Sequence, residues 1–200
     1  MTTAETTIQN ALNNSFPYSA YRAHVTQLLQ QGLSTGATQS EALTHYTTLN
    51  EARMNRLDKT IHIPEAVAEK LKGLEKAYTF LVITEGWCGD AAQIVPVINK
   101  MAQATDKINL KLVLRDDNAT LMDDYLTNGA RSIPKLVVLD AETQQPIGSW
   151  GPRPEGGVNL IKEAKERDGV VTDEAKTELQ KWYLHDKGLS TMEEIVVLLG

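Results

Sequence analysis

The chain has 200 residues, a formal net charge of −6, 42% hydrophobic residues and one cysteine, Cys88. These figures suit one domain of ordinary size with extensions, and they exclude an internal disulfide framework and a cysteine-cluster metal site. With an acidic balance and no basic tract, nothing favours nucleic acid or an anionic membrane as a partner.

The N-terminus, Met1-Thr2-Thr3-Ala4-Glu5, lacks the basic start and apolar core of a secretory signal, and the longest apolar runs are too short to span a bilayer. A soluble, cytoplasmic protein is expected. Residues 1–15 are polar and rich in Thr and Asn, which predicts a frayed or weakly helical segment. From Ser19, Tyr21, Val25, Leu28 and Leu29 recur at helical spacing, and Gly32 stands where the helix should end. Ser34 to Gln39 reads as a loop. Ser40 is placed to cap a second helix reaching about Leu57, with Leu43, Tyr46, Met54 and Leu57 as its inner face. This helical pair reads either as a lid or docking element or as plain packing on the sheet.

Thr60-Ile61-His62-Ile63 is expected to form a short strand, and Pro64 to open a helix ending near Lys72. Tyr78 to Thr84 is an apolar run that reads as the central buried strand. A helix follows Cys88 to about Ala104, bent at Pro96. Ile108 to Leu114 reads as a strand ending in the charged turn Arg115-Asp116-Asp117-Asn118. Leu121 to Leu126 reads as a helix closed by Asn128-Gly129. Lys135 to Asp140 and Pro146 to Trp150 form a predicted strand pair, and Glu155 to about Arg167 a helix. Thr172 or Asp173 is expected to cap a helix reaching His185, with Leu179, Trp182 and Tyr183 as its apolar face. Ser190 and Thr191, with Glu193 and Glu194 three residues on, give a capping-box signal for a last, very apolar helix. That helix needs burial in this chain or against a second copy, which leaves a homodimer through the terminal helices open.

The stretch that carries chemistry is Glu85-Gly86-Trp87-Cys88-Gly89-Asp90-Ala91, where the central strand hands over to a helix. The first turn of a helix presents free N–H groups and the positive end of the dipole, so a thiolate there is stabilised. Cys88 follows a tryptophan in a turn and precedes Gly-Asp, which predicts a sulfur near the surface rather than a structural core cysteine. Asp90 opposes the dipole by raising the thiol pKa, and the balance of the two is open from sequence. Asp90 as a helix cap is the competing reading. The four histidines, His24, His45, His62 and His185, are scattered and give no metal site. No G-x-S-x-G, phosphate-cradling glycine loop or H-E-x-x-H occurs, and no cofactor is called for.

Over roughly Thr60 to Arg167 the chain resembles the thioredoxin family. The Trp87-Cys88-Gly89 turn ends a buried strand, Pro96 stands where thioredoxins kink this helix, and Ile133-Pro134 matches the family's Ile-Pro. The resemblance implies an α/β, thioredoxin-like fold: a central mixed β-sheet flanked by helices, with N-terminal and C-terminal helical extensions. The expected division is 1–59, 60–167 and 168–200. It also implies that Pro134 is cis, lies against the cysteine and leaves the backbone before it free for a bound peptide. Two departures go together. The resolving cysteine is replaced by Ala91, and Val82 stands where the family buries the acid that serves it.

The expected function is thiol–disulfide exchange or mixed-disulfide formation through Cys88 alone, as a monothiol oxidoreductase acting on protein disulfides or low-molecular-weight thiols. Trp87, Gly89, Asp90, Ile133, Pro134 and Arg153 are the candidate substrate-binding residues. Arg153, held in Trp150-Gly151-Pro152-Arg153-Pro154, is expected to accept a substrate carboxylate. Lys135 and Arg131 read as solvated charges beside the Ile-Pro pair. The alternative function is a redox-inactive binding module for a protein partner.

Overall fold

The computed structural model describes the backbone of residues 3–199 and the side chains of residues 5–199. In chain order the elements are α1 (Thr3–Asn13), α2 (Tyr18–Gln30), α3 (Glu41–Thr60), α4 (Glu65–Lys72), β1 (Tyr78–Thr84), α5 (Gly89–Gln103), β2 (Ile108–Leu114), α6 (Ala119–Asp123), β3 (Lys135–Asp140), β4 (Pro146–Trp150), α7 (Glu155–Asp168), α8 (Asp173–Asp186) and α9 (Leu189–Val196). A 3₁₀ turn over Val197–Leu199 follows.

The strands make one mixed sheet in the order β2-β1-β3-β4. All seven residues of β1 are buried, as expected for a strand covered on both faces. It pairs parallel with β2 and antiparallel with β3, and β3 pairs antiparallel with β4. A parallel pair needs a crossover, and α5 supplies it. Its N-terminus therefore lies at the end of β1, which places Cys88 at the carboxyl edge of the central strand. The outer edge of β2 is closed by Phe16, whose N–H donates to Leu112 O at 2.7 Å and whose carbonyl accepts from Leu112 N–H at 2.8 Å.

Several predicted elements are corrected. Of the two expectations for the N-terminal segment, frayed or weakly helical, the described residues give the helix, and it is packed: α1 buries Ile8 and Ala11 and packs on β2 and α6, while residues 1 and 2 lie outside the described residues. Isolated propensity could not show this, because most helical stability comes from packing one face. No strand forms over 60–63. Helical bonding in α3 continues, so the Ile61 N–H is committed to Leu57 O at 3.0 Å and Ile61 is buried by its side chain instead. The inner face of α3 carries Thr47 and Asn50 along with Met54 and Leu57, while Tyr46 is exposed.

The helix after Leu121 is short and ends at Asp123. Asn128 and Gly129, both at positive φ, form a separate tight turn closed by Thr127 and Ala130. The predicted capping box is absent from α9. Gly188, at φ +82°, stands at its N-cap, and Glu194 turns outward from the helix. Its carboxylate accepts from Trp150 Nε1 at 2.7 Å and from the Glu155 N–H at 2.8 Å, so it caps α7. The apolar face of α9 is buried within the chain through Met192 and Ile195, against α4 and α5. Elsewhere the sequence reading agrees: Ser40 caps α3 through Leu43 N–H, Thr172 caps α8 through Ala175 N–H, and Pro96 lies inside α5.

Ile8→Ala tests the corrected N-terminus. Packing as seen implies a loss of about 2–4 kcal/mol in urea-induced unfolding, whereas a frayed segment would give almost none.

Candidate functional site around Cys88

The turn leading to Cys88 is built by groups from the helical pair in front of the sheet. Asn50 Nδ2 donates to Gly86 O at 2.9 Å, and the Gly86 N–H donates to Thr35 Oγ1 at 2.8 Å. The Thr35 hydroxyl in turn donates to the Glu85 carboxylate, which also accepts the Asp116 N–H at 3.0 Å. Glu85 is fully buried, and burial pushes its carboxyl up against the hydrogen bonds that favour its ionised form. Gly86 has no room for a side chain without crowding Val25, Thr35 and Thr47. The second helical hairpin element is thus packing on the turn itself, with α3 lying along α5.

Cys88 is the N-cap residue of α5, and the Ala91 N–H points at its sulfur at 3.5 Å. The thiol donates to the Ile133 carbonyl at 3.3 Å. The Ile133-Pro134 bond is cis, as the resemblance implied. The expectation of a sulfur near the surface is corrected: Cys88 is buried, at 9% exposure. Burial first, and the Asp90 carboxylate second, push its thiol up to about 12. The Ala91 and Asp90 N–H groups and Arg153 act the other way and are outweighed. In this conformation the helix terminus does not produce a thiolate at neutral pH.

Asp90 is not a cap. One carboxylate oxygen accepts from Tyr183 Oη of α8 at 2.9 Å, and the other pairs with Arg153 Nη2 at 2.7 Å. Arg153 is therefore engaged by Asp90 rather than open to a substrate carboxylate, and its Nε is buried without a hydrogen-bond partner. A second contact ties the same two helices: Gln93 Nε2 donates to Gln180 Oε1 at 2.8 Å. Farther along α8, the Trp182 ring packs directly on Gly156 of α7. The C-terminal helix thus covers the first turn of α5.

The remaining candidates fall into two groups. Ile133 and Pro134 stay beside the sulfur, and Gly151 closes against them: at φ +115°, a side chain there would meet Pro134 O at 2.3 Å. Lys135 is not solvated. It is buried, donates from Nζ to Thr127 Oγ1 at 2.7 Å and to Gly151 O at 3.1 Å, and burial lowers its pKa. Arg131 is exposed and paired with Asp123, away from the thiol. Trp87 is half-buried under the Arg115 guanidinium, 4.7 Å from its ring centre. Gly89 opens α5 and faces Gln180. Among the described residues no group of three or more His, Cys, Asp or Glu side chains is placed to hold a metal ion.

A family model described as Thioredoxin matches residues 36–165, more than half of the chain. The chain belongs to the thioredoxin family. This thioredoxin-family chain is also similar in fold to two solved structures. One is a protein of unknown function from Pseudomonas aeruginosa, with a TM-score of 0.59 at 17% identity over 94% of each chain. The other is an HIV epitope scaffold, with a TM-score of 0.60 at 19% identity over 96% of each chain. At such identities the likeness is one of fold, and its coverage extends into the terminal helices. A search of curated proteins gives no match. No helix among the described residues is long and apolar enough to cross a membrane.

Sequence reasoning missed Tyr183, Gln180, Glu85 and Asn50. Glu85 had a visible signal, an acidic residue ending an apolar strand. Tyr183 had none, because nothing in local pattern links it to a residue 93 positions earlier.

Two substitutions test this geometry. Asp90→Asn removes the charge that raises the thiol and leaves Arg153 beside it, so Cys88 should titrate lower by about one unit or more, read from thiolate ultraviolet absorbance against pH. Gly151→Ala forces a side chain into Pro134 O at a positive φ, and chemical denaturation should show a loss of about 2–4 kcal/mol.

Proposed function

We propose that the protein engages in thiol–disulfide exchange through Cys88 alone, and that α8 must move aside first. The observation that carries the reading is the juxtaposition of Cys88 Sγ, at the first turn of α5, with the carbonyl before a cis proline at 3.3 Å. Membership of the thioredoxin family supports an exchange role for a thiol at that edge. With the cover displaced, Cys88 gains solvent and loses the burial that keeps it neutral, while the Ala91 and Asp90 N–H groups remain to stabilise a thiolate.

Cys88 gives its proton to solvent base, and its thiolate attacks one sulfur of a substrate disulfide. A new S–S bond joins Cys88 to that sulfur, the original S–S bond breaks, and the other sulfur leaves as a thiolate that takes up a proton. Cys88 is then held as a mixed disulfide. Ala91 cannot resolve it, so a thiolate from a low-molecular-weight thiol pool attacks the substrate sulfur of the adduct, a new S–S bond joins the two, the bond to Cys88 breaks, and Cys88 leaves as a thiolate that takes up a proton. A cytoplasmic setting would supply that pool.

A second reading is a redox-inactive module that uses the same fold to hold a protein partner. It is favoured by the buried, neutral thiol and by the engagement of Arg153 and Tyr183 with Asp90.

Alkylation followed by intact mass separates the two. At pH 8 wild-type Cys88 should react at least about a hundredfold more slowly than free cysteine. Gly156→Ala places a methyl group 2.6 Å from the Trp182 ring and loosens α8. It should speed alkylation and give a mixed disulfide with glutathione disulfide. A loosened variant that still forms no adduct would sink the exchange reading in favour of the binding module.

A further inference from the structure

Among the described residues, five of the seven arginines are ion-paired: Arg22 with Glu51 and Asp58, Arg115 with Asp116, Arg131 with Asp123, Arg153 with Asp90 and Arg167 with Asp168. The two with no carboxylate partner among the described residues, Arg53 and Arg56, stand one turn apart on the same stretch of α3. In a chain of net charge −6, two uncompensated guanidiniums at i and i+3 are unexpected, because neighbouring like charges on a helix repel. Arg53 is half-buried, and its guanidinium donates to a neutral amide, Asn50 Oδ1, at 2.6 Å. Burial, and then the charge of Arg56, lowers its pKa.

Arg56, but not Arg53, lines a cavity of about 260 Å³ that opens along the seam of α3 and α8. Its buried side is apolar, formed by Leu57, Ile61 and Tyr183, and its exposed side carries Arg56, His62 and Lys187. Among the described residues no carboxylate lines it. The volume equals that of about nine waters, enough for one small ring or branched chain with a charged group. A planar guanidinium matches an oxyanion by two parallel hydrogen bonds, and an apolar floor takes up a hydrocarbon body.

We propose that this seam pocket binds a small organic oxyanion, a carboxylate or phosphate ester with an apolar body, with Arg56 as the group that grips the charge. The site is separate from the exchange chemistry and does not depend on it. It does share a wall with it. The Tyr183 ring lines the pocket, while its hydroxyl holds Asp90 over the first turn of α5. An occupant therefore rests on the residue that helps to cover Cys88.

The test is a titration of the isotope-labelled full chain with benzoate, phenyl phosphate and inorganic phosphate, followed by amide NMR. Benzoate or phenyl phosphate should shift the signals of Ile61, Leu184 and Lys187 saturably, and whichever binds more tightly identifies the charged group. Inorganic phosphate, lacking a hydrocarbon body, should bind more weakly than phenyl phosphate. Arg56→Ala should weaken the better probe about tenfold, as loss of a charge-assisted pair predicts, and Arg167→Ala, on an exposed and already paired arginine, should leave it unchanged. The proposal is overturned if neither organic probe saturates, if phenyl phosphate binds no better than inorganic phosphate, or if Arg56→Ala binds as wild type does.

Discussion

The Asp90 carboxylate ties together three parts of the chain that are far apart in sequence: the first turn of α5, the loop after β4 and the helix α8 of the C-terminal extension. It is buried and accepts from both Arg153 and Tyr183, so its charge is compensated by one cation and one hydroxyl. A buried pair of this kind adds little net stability, because desolvation offsets the attraction. Its effect lies in placement. Removing either partner would leave a buried charge incompletely matched, so the contact holds Tyr183 of α8 to the first turn of α5, beside Cys88.

Protonation at Cys88 follows from the same contact. Two backbone N–H groups at the start of a helix favour the thiolate, and so does Arg153, but they are outweighed by burial and by Asp90. The helix cover therefore does two things together. It removes water, which penalises charge, and its Tyr183 hydroxyl holds the Asp90 carboxylate of the same first turn, whose charge penalises negative charge in particular. The thiol instead donates to the Ile133 carbonyl, a bond available only to the neutral form. A single-thiol protein with no resolving cysteine has no internal way out of a mixed disulfide, so a site that is neutral at rest limits adventitious adducts.

The helices before the sheet support the other side of the turn. Asn50 and Thr35 hold the backbone of Gly86, and Thr35 also donates to buried Glu85. Without these polar groups the Glu85-Gly86 backbone and the Glu85 carboxylate would be buried with fewer partners, at a cost of about 1–3 kcal/mol for each unmet group. The strand-to-helix junction is thus clamped from the front by α3 and the loop before it, and covered from the back by α8. The likeness of fold to two solved structures over nearly their whole length fits helices that are part of the packed unit.

Much of this was legible from local pattern. The four strands, the caps at Ser40 and Thr172 and the proline inside α5 follow from apolar periodicity and hydroxyl side chains at helix starts, while the cis Ile133-Pro134 beside Cys88 was implied by the resemblance to the thioredoxin family. These are properties of short segments, and short segments are what a sequence encodes directly. The tertiary structure decided the rest. It made a helix of α1 by giving Ile8 and Ala11 a surface to pack on, denied a strand to 60–63 by extending α3, and turned Glu194 from a presumed cap of its own helix into the cap of α7. Above all it decided the state of the thiol. The sequence places a cysteine at a helix start, where a thiolate is favoured; whether it ionises depends on burial and on partners for Asp90 that lie 63 and 93 residues away, and no local pattern contains that distance.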